Sequence, residues 1–497
     1  MQEKQTFDAD LLSIQEARER AVAARAAQRK FLKASQQEVD RICAAMAEAA
    51  FDASERLGQM AHEETGFGVP AHKCVKNQFA SKTLWESIRD IPTVGVIERD
   101  EARKVVKIGW PVGVIAGLIP STNPTSTAMF KILTGVKARN AVIIAPHPSA
   151  KNCAFETVRI MVEAGERAGM PPGLVSCMKY VSLEGSRELM QHYAVSLILA
   201  TGGTPMVRAA HSMGKPAIGV GPGNVPVYVD RSAYVRKAAQ DIVNSKAFDC
   251  SVICATEQAV VADRPIAEQL RQEMRAAGAH WVNDEERRAL ERLLFHANGA
   301  MNARAVGKTP QQLAAMAGIS VPDDARVLVV DLEGVGKEYP LSGEKLTTVL
   351  GFYVEDDWHA GCERCLQLIR YGGDGHSLVI HATDEEVVEA FGLEKPVFRI
   401  LVNTWGTLGA VGATTGVMPS MTLAPGGVGG AVMSGNITVT HLLNVKQLAT
   451  MTSEPPEAAK SLAPGVKALP TGGKNPGESL HSPELIADIV RQVLAEI

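Results

Sequence analysis

Residues 8–67 set apolar side chains such as Leu32, Val39, Ile42 and Met46 at helical spacing among Ala, Glu, Gln and Arg, a pattern that predicts two or three amphipathic helices. From about residue 104 the texture changes to short β-branched runs, each closed by a Gly, Pro or Asn turn and followed by a helical stretch. The runs at 104–109, 112–118, 141–145, 195–199 and 225–229 are of this kind. Strands alternating with helices predict right-handed βαβ units around a parallel sheet, an α/β fold. The pattern resumes at 257–262, 326–331, 377–381 and 398–402, so a second α/β domain is expected to begin near 236.

After about 452 the periodicity stops. Residues 453–482 hold five Pro and four Gly in 30 positions, which reads as an extended linker. It ends at Ser482-Pro483, an N-cap followed by Pro at the first helical position. Residues 483–497 then put Leu485, Ile486, Ile489, Val490, Val493, Leu494 and Ile497 on one stripe opposite Glu484, Asp488, Arg491 and Gln492. A short amphipathic helix on a tether is expected to dock its apolar face on another surface.

Composition narrows the classes. Hydrophobic residues are 46% and charged residues 21% of the 497, enough for a large core. The net charge of −4 gives no electrostatic footprint for nucleic acid or anionic lipid. The N-terminus lacks the basic-then-apolar order of a secretory signal, and apolar runs such as 112–119 fall short of the roughly 20 residues of a membrane helix. A cytoplasmic protein without a membrane segment is expected. The eight Cys are spread thinly, so no disulfide framework is indicated.

Chemistry concentrates in a few places. The segment 246–258 (KAFDCSVICATEQ) offers Cys250 and Cys254 just before a β-rich run; a Cys at a turn beside a helix N-terminus is a nucleophile, and otherwise a small buried hydrophobe. Cys362 and Cys365 form a CERC pair, but the helical texture of 359–370 puts them on an ordinary helix with no zinc-type ligand set following, so no metal is expected. At 197–204 (LILATGGT) a hydrophobic strand runs into Thr201, Gly202, Gly203 and Thr204 and then a helix, which brings backbone N–H groups to a pyrophosphate. The glycines of 219–224 (GVGPGN) do not open a helix after a strand and are not a phosphate loop.

The segments 111–151, 246–258, 371–377 (YGGDGHS) and 419–430 (PSMTLAPGGVGG) resemble the CoA-acylating branch of the aldehyde dehydrogenase superfamily. That branch includes acetaldehyde and propionaldehyde dehydrogenases and the N-terminal half of bifunctional aldehyde-alcohol dehydrogenases. The resemblance covers roughly 10–450 in consistent order. It implies two Rossmann-like α/β domains, an NAD(P)-binding domain at 1–235 and a catalytic cysteine domain at 236–424. Part of 425–452 would return to a small β oligomerisation element, ahead of the C-terminal tail.

The resemblance also implies roles. Cys254 would be the nucleophile and Asn123, in PSTNPTS, would hold the developing alkoxide together with the Cys254 backbone N–H. Cys250 stands where relatives often carry Asn, and a structural or resolving thiol is the expectation. His376 would shuttle a proton to or from the substrate oxygen or the CoA thiol. The turn 201–204 would bind NAD, with NADP as the alternative, aided by Pro120, Ser121, Thr122, Gly219, Val220 and Gly221. His147 and Pro148 would meet the adenosine ribose, and Glu344 with Leu346 the nicotinamide ribose. Gly219 stands where hydrolytic relatives carry the Glu that activates water, so a thioester on Cys254 should persist until a CoA thiol arrives. The loop at 426–430 would face substrate or CoA.

The absence of Asp, Glu, Lys and Arg from Ile400 to Val445 favours a small neutral aldehyde, since a sulfonated one would want an Arg or Lys partner. A homo-oligomer is expected. The tail resembles encapsulation peptides of bacterial microcompartment enzymes, which implies a shell-protein partner for 483–497 and a place in the microcompartment lumen. Three alternatives stand beside this reading: a hydrolytic aldehyde dehydrogenase, a sulfoacetaldehyde-type acylating enzyme, and a catalytically silent scaffold.

Overall fold

The computed structural model describes residues 8–456 and residue 459. The N-terminal pattern resolves into three helices, Ala9–Phe31, Gln36–Asp52 and Ser54–Thr65. The second opens with a capping box between Ser35 and Glu38, which satisfies two otherwise orphaned backbone donors. The third ends at Gly66 in the left-handed region (φ 69°), the usual glycine stop.

Strands β1 (Gly95–Asp100) and β2 (Val105–Pro111) come next. They are followed by β3 (Val114–Leu118), β4 (Ala141–Ala145), β5 (Val175–Cys177), β6 (Leu197–Thr201) and β7 (Ala217–Val220). The last five form a parallel sheet in the order β5-β4-β3-β6-β7. The chain steps one way from β3 to β5, then returns to the other side of β3. Such a reversal opens a crevice beyond the C-terminal ends of the strands. Between β3 and β4 runs the helix Pro124–Lys137, every residue of which is buried; Pro124 at its first position fixes where it starts, and leaves Asn123 at the rim of that crevice.

A second parallel sheet has seven strands: β8 (Val225–Val229), β9 (Glu257–Asp263), β10 (Ala279–Trp281), β11 (Val327–Asp331), β12 (Val349–Glu355), β13 (Leu378–His381) and β14 (Ile400–Val402), in the order β10-β11-β12-β9-β8-β13-β14. Val225, Val227 and Val229 pack on one face and Tyr228 on the other, as the unbroken apolar run of a strand buried on both sides requires. Because β8 already belongs to this sheet, the change of sheet falls in the Gly221–Asn224 break rather than near 236. A Pro between two glycines ends β7 there and frees the chain to cross.

A hairpin of β15 (Leu423–Pro425) and β16 (Ser434–Asn436) follows, and β17 (Leu443–Ala449) completes a three-stranded sheet in the order β1-β2-β17. Residues 100–105 and the described residues from 449 make up a second, smaller unit, in which the Thr450 N–H donates to the Lys104 carbonyl at 3.1 Å. Most of the linker and the whole docking helix anticipated at 483–497 lie outside the described residues. Among the described residues no helix is long and apolar enough to cross a membrane.

Candidate active site

The C-terminal ends of the five-stranded sheet and the N-terminal ends of the seven-stranded sheet line one cavity of about 560 Å³. From the first sheet come the loop 118–123 after β3, residues 145–148 after β4, the turn 201–203 after β6 and residues 220–222 after β7. The second contributes Val252, Ile253 and Cys254 ahead of β9 and Glu344 and Leu346 ahead of β12. The structure thus brings together Cys254, Asn123, Pro120, Ser121, Thr122, His147, Pro148, Thr201, Gly202, Gly203, Val220, Gly221, Glu344 and Leu346. Thr204, Gly219 and His376 do not line the cavity.

The approach to Cys254 is a strained loop. Asp249, Cys250 and Ser251 stand in succession at φ 48°, 52° and 68°, a conformation that side-chain-bearing residues avoid and that persists only where surroundings enforce it. The enforcing group is the fully buried Asp249 carboxylate. It accepts the Val69 N–H at 2.6 Å and pairs with Lys73 at 3.2 Å and with Lys76. The two lysines carry the clamp to the other sheet: Lys73 Nζ donates to the Thr122 carbonyl at 3.0 Å, and Lys76 Nζ to Asn123 Oδ1. With its oxygen held there, the Asn123 amide turns Nδ2 toward the cysteine loop, where it donates to the Val252 carbonyl at 2.8 Å and to Thr122 Oγ1 at 3.4 Å. Burial pulls Lys76 down to about 8 against the attraction of Asp249. Cys250 is buried inside this loop, with its thiol pushed up to about 11, the environment of a structural thiol.

Cys254 emerges from the loop into a strand rather than beside a helix N-terminus. Burial first, and then the charge of Glu344, push its thiol up to about 12, with Arg399 pulling the other way. Cys254 therefore rests as a thiol. Glu344 accepts the Gly223 N–H at 2.8 Å, and burial raises its carboxyl to about 7. His376 is buried behind the same loop. A methyl placed on Gly223 would lie 2.5 Å from the Cys254 carbonyl oxygen and 2.7 Å from His376 Cγ, so only glycine lets the imidazole and the nucleophile's backbone approach so closely.

The nucleotide side of the cavity is built differently. The turn after β6 leads into the helix Thr204–His211; among the described residues no side chain caps its first donors, and Thr201 Oγ1 is buried without a partner. A methyl on Gly202 or Gly203 would meet only Met206 and Pro205, at 3.6 and 3.8 Å. Unused donors, an orphaned hydroxyl and open room fit a dinucleotide pyrophosphate. His147 caps the short turn Pro148–Ala150 through Nδ1, which accepts the Ser149 N–H at 3.2 Å. Gly219 faces the other way: a methyl there would press on Val207 and His211 at 2.6 and 2.7 Å. The segment's cavity wall is Val220, Gly221 and Pro222, none of which ionises, so this wall offers water no base for a reason other than the lack of a carboxylate at 219.

Lys73, Lys76, Asp249 and Arg399 escaped sequence reasoning. Their signal was weak: basic and acidic residues in unremarkable helical or loop contexts, whose full burial is the informative property. Glu257 is similar. It accepts Ser245 Oγ and the Gly406 N–H, each at 2.6 Å, and ties the start of β9 to the helix Gly406–Val411. Cys362 and Cys365 are buried on the helix Trp358–Gly372, and among the described residues no three His, Cys, Asp or Glu side chains gather as metal ligands would.

Residues 2–290 match the aldehyde dehydrogenase family. The chain is 39% identical over 437 residues to aldehyde-alcohol dehydrogenase 2 of Entamoeba histolytica, an alignment that covers 86% of this chain and 50% of that one. Among solved structures it resembles an acetylating aldehyde dehydrogenase of Geobacillus thermoglucosidasius, with a TM-score of 0.89, 49% identity, and 91% of this chain and all of that one covered. It also resembles a propionaldehyde dehydrogenase of Rhodopseudomonas palustris solved with CoA bound and a cysteine acylated, with a TM-score of 0.79, 27% identity, and 88% of this chain and 97% of that one covered. The chain spans about half the length of the first curated relatives that it matches.

Proposed function

Because the chain belongs to the aldehyde dehydrogenase family, we propose that it oxidises a small aldehyde with NAD(P)+ and CoA, releasing acyl-CoA and NAD(P)H by way of a thioester on Cys254. The observation that carries this reading is the shared cavity: Cys254, the Asn123 amide and the uncapped turn after β6 open onto one space, while the wall at Val220–Pro222 holds no base for water. Cys254, once deprotonated, forms a bond to the aldehyde carbon, and the resulting alkoxide is held by Asn123 and the Cys254 backbone N–H. When bound, the nicotinamide supplies the hydride acceptor. Collapse of the alkoxide leaves the acyl group on sulfur, and the CoA thiolate then displaces Cys254, whose thiolate is the leaving group. Glu344, which lines the same cavity, takes the protons that Cys254 and CoA release.

The protein acts as a homo-oligomer, and residues 483–497 dock it on a microcompartment shell protein in the lumen. The support for docking is the sequence pattern of a Pro- and Gly-rich tether ending in one amphipathic stripe. Deleting 480–497 should spare turnover and abolish co-purification with shell proteins; loss of folding or assembly instead would sink the assignment. The catalytic reading is tested by NADH formation with acetaldehyde or propionaldehyde. Turnover should require CoA, and Cys254→Ala should abolish it. Rapid production of free acid without CoA would establish hydrolysis instead, and a preference of about 100-fold for sulfoacetaldehyde, about 2.7 kcal/mol, would establish the sulfonate.

A further inference from the structure

Glu344 and Leu346 both line the cavity, yet the stretch that carries them, between the short turn Pro340–Ser342 and β12, belongs to no strand or helix. What fixes it is the residue between them. The Lys345 side chain is fully buried and turns back on its own loop, its Nζ donating to the Leu341 carbonyl at 2.5 Å and the Gly343 carbonyl at 2.8 Å. Its peptide groups go elsewhere. The Lys345 N–H donates to Gln258 Oε1 at 2.9 Å, and the Lys345 carbonyl accepts from Lys246 Nζ at 3.2 Å and Ser251 Oγ at 3.4 Å. Lys246 Nζ also donates to Gln258 Oε1 at 3.0 Å, which closes a ring through Lys246, Gln258 and Lys345.

These partners all come from one segment. Lys246 lies in the last turn of the helix Val235–Ala247, Ser251 stands in the strained loop, and Gln258 is the second residue of β9. Cys254 therefore lies between the residues that grip Lys345. Each role in the ring is forced, because a backbone N–H only donates and a carbonyl only accepts. Gln258 Nε2 donates to the Thr256 carbonyl at 3.2 Å, which fixes the same orientation of the amide from its other end. Burial holds Lys246 well below the ordinary lysine range, with Lys345 adding to the shift and Glu257 and Glu344 opposing it. Its two bonds need two N–H groups, and the neutral amine retains both.

Resting on the reading in which Glu344 takes the protons of Cys254 and CoA, we propose that Lys246 and Gln258 are positioning residues that hold Glu344 beside Cys254 by fastening the Lys345 peptide to the segment that bears the nucleophile. β9 and β12 pair from Ala259 and Gly351 onward, so ahead of that point the ring takes the place of the ladder. The hydrogen bond that Glu344 accepts comes from Gly223, in the Gly221–Asn224 break, and does not tie it to the cysteine segment. A proton moves over a hydrogen-bond distance, so a displaced acceptor costs turnover more than binding.

Lys246→Met and Gln258→Met in the full-length protein test the brace. Lys246→Met should fold, because each acceptor it abandons keeps another donor, Ser251 Oγ on the Lys345 carbonyl and the Lys345 N–H on Gln258 Oε1. Each variant should lower kcat for CoA-dependent NADH formation about 10-fold at unchanged aldehyde KM, whereas Gln258→Glu, which still accepts from both donors, should stay within about 3-fold. In the Glu344→Gln background neither Met variant should cost more than about 2-fold further. Losses that multiply with Glu344→Gln, or equal losses in Gln258→Met and Gln258→Glu, would overturn the proposal. Alkylation of Cys254 by iodoacetamide at pH 8, followed by peptide mass spectrometry, gives a readout independent of turnover. The Glu344 carboxyl, at about 7, is ionised there and adds to burial in raising the Cys254 thiol. Glu344→Gln and Gln258→Met should therefore each speed alkylation about 3-fold or more, and the double variant should react no faster than Glu344→Gln alone. A further gain in the double variant, as a merely loosened loop would give, or no gain in Gln258→Met, overturns the proposal. If Glu344→Gln leaves kcat unchanged, the assignment of the protons to Glu344 fails, while alkylation still decides whether the brace holds Glu344 beside Cys254.

Discussion

The two sides of the cavity use opposite materials. The nucleotide side is backbone: a glycine turn after β6, an uncapped helix start and an orphaned Thr201 hydroxyl. The nucleophile side is buried charge, with Asp249, Lys73 and Lys76 holding three left-handed residues and the Asn123 amide in place. Open backbone binds a cofactor that comes and goes. A buried ion cluster does not bind but fixes geometry, because its members have no alternative partner once water is excluded. The difference predicts that damage on the first side appears in cofactor KM and damage on the second in stability and kcat.

The largest effect should come from Asp249→Ala, which leaves Lys73 and Lys76 buried without their counter-charge. A loss of about 3–5 kcal/mol is expected, read by denaturant unfolding, along with loss of turnover; a near-native variant would show that the strained loop holds itself. Asn123→Ala should lower kcat about 10²–10³-fold with little change in folding stability, checked by steady-state kinetics beside a melting curve. Lys76→Met frees the amide without removing it and should cost about 10-fold in kcat. On the other side, Gly203→Val fills the turn and should raise cofactor KM about 10-fold while kcat at saturation stays within about 2-fold; a matching fall in kcat would erase the contrast between the two sides.

The smallest expected effect is on pH dependence. Glu344 and Glu257 both have carboxyls raised by burial to about 7. Each is neutral in the folded protein at a pH where the unfolded chain has already ionised it, so its contribution is fully present below about 4.5 and is lost as pH rises through about 7. Unfolding free energy should therefore decline between these values, and Glu344→Gln should flatten part of that decline. An unchanged slope in the variant would mean that Glu344 is ionised in the fold at all these pH values.

Strand and helix periodicity made the parallel α/β architecture legible, since apolar runs near 141–145, 225–229 and 257–262 have no other way to be buried on both faces. Local motifs likewise pointed to Cys254, Asn123 and the turn at 201–203, which the fold gathers around one cavity, because a glycine turn between a strand and a helix has its chemistry in its own backbone. Boundaries were less visible: the Gly221–Asn224 break carries the chain into the second sheet some residues before the composition suggests, and the facing of Gly219 depends on which helix packs beside β7. The clamp was not legible at all. Lys76 and Asn123 are 47 residues apart and Asp249 lies 173 from Lys76, and a charge acquires such a role only when folding removes the water around it. Sequence by itself determined the sheets and which residues stand in the loops between them; only the tertiary structure decided which charges are buried, and hence which atoms hold the loop before Cys254 and the Asn123 amide in place, because a charge is fixed to one partner only where folding excludes water.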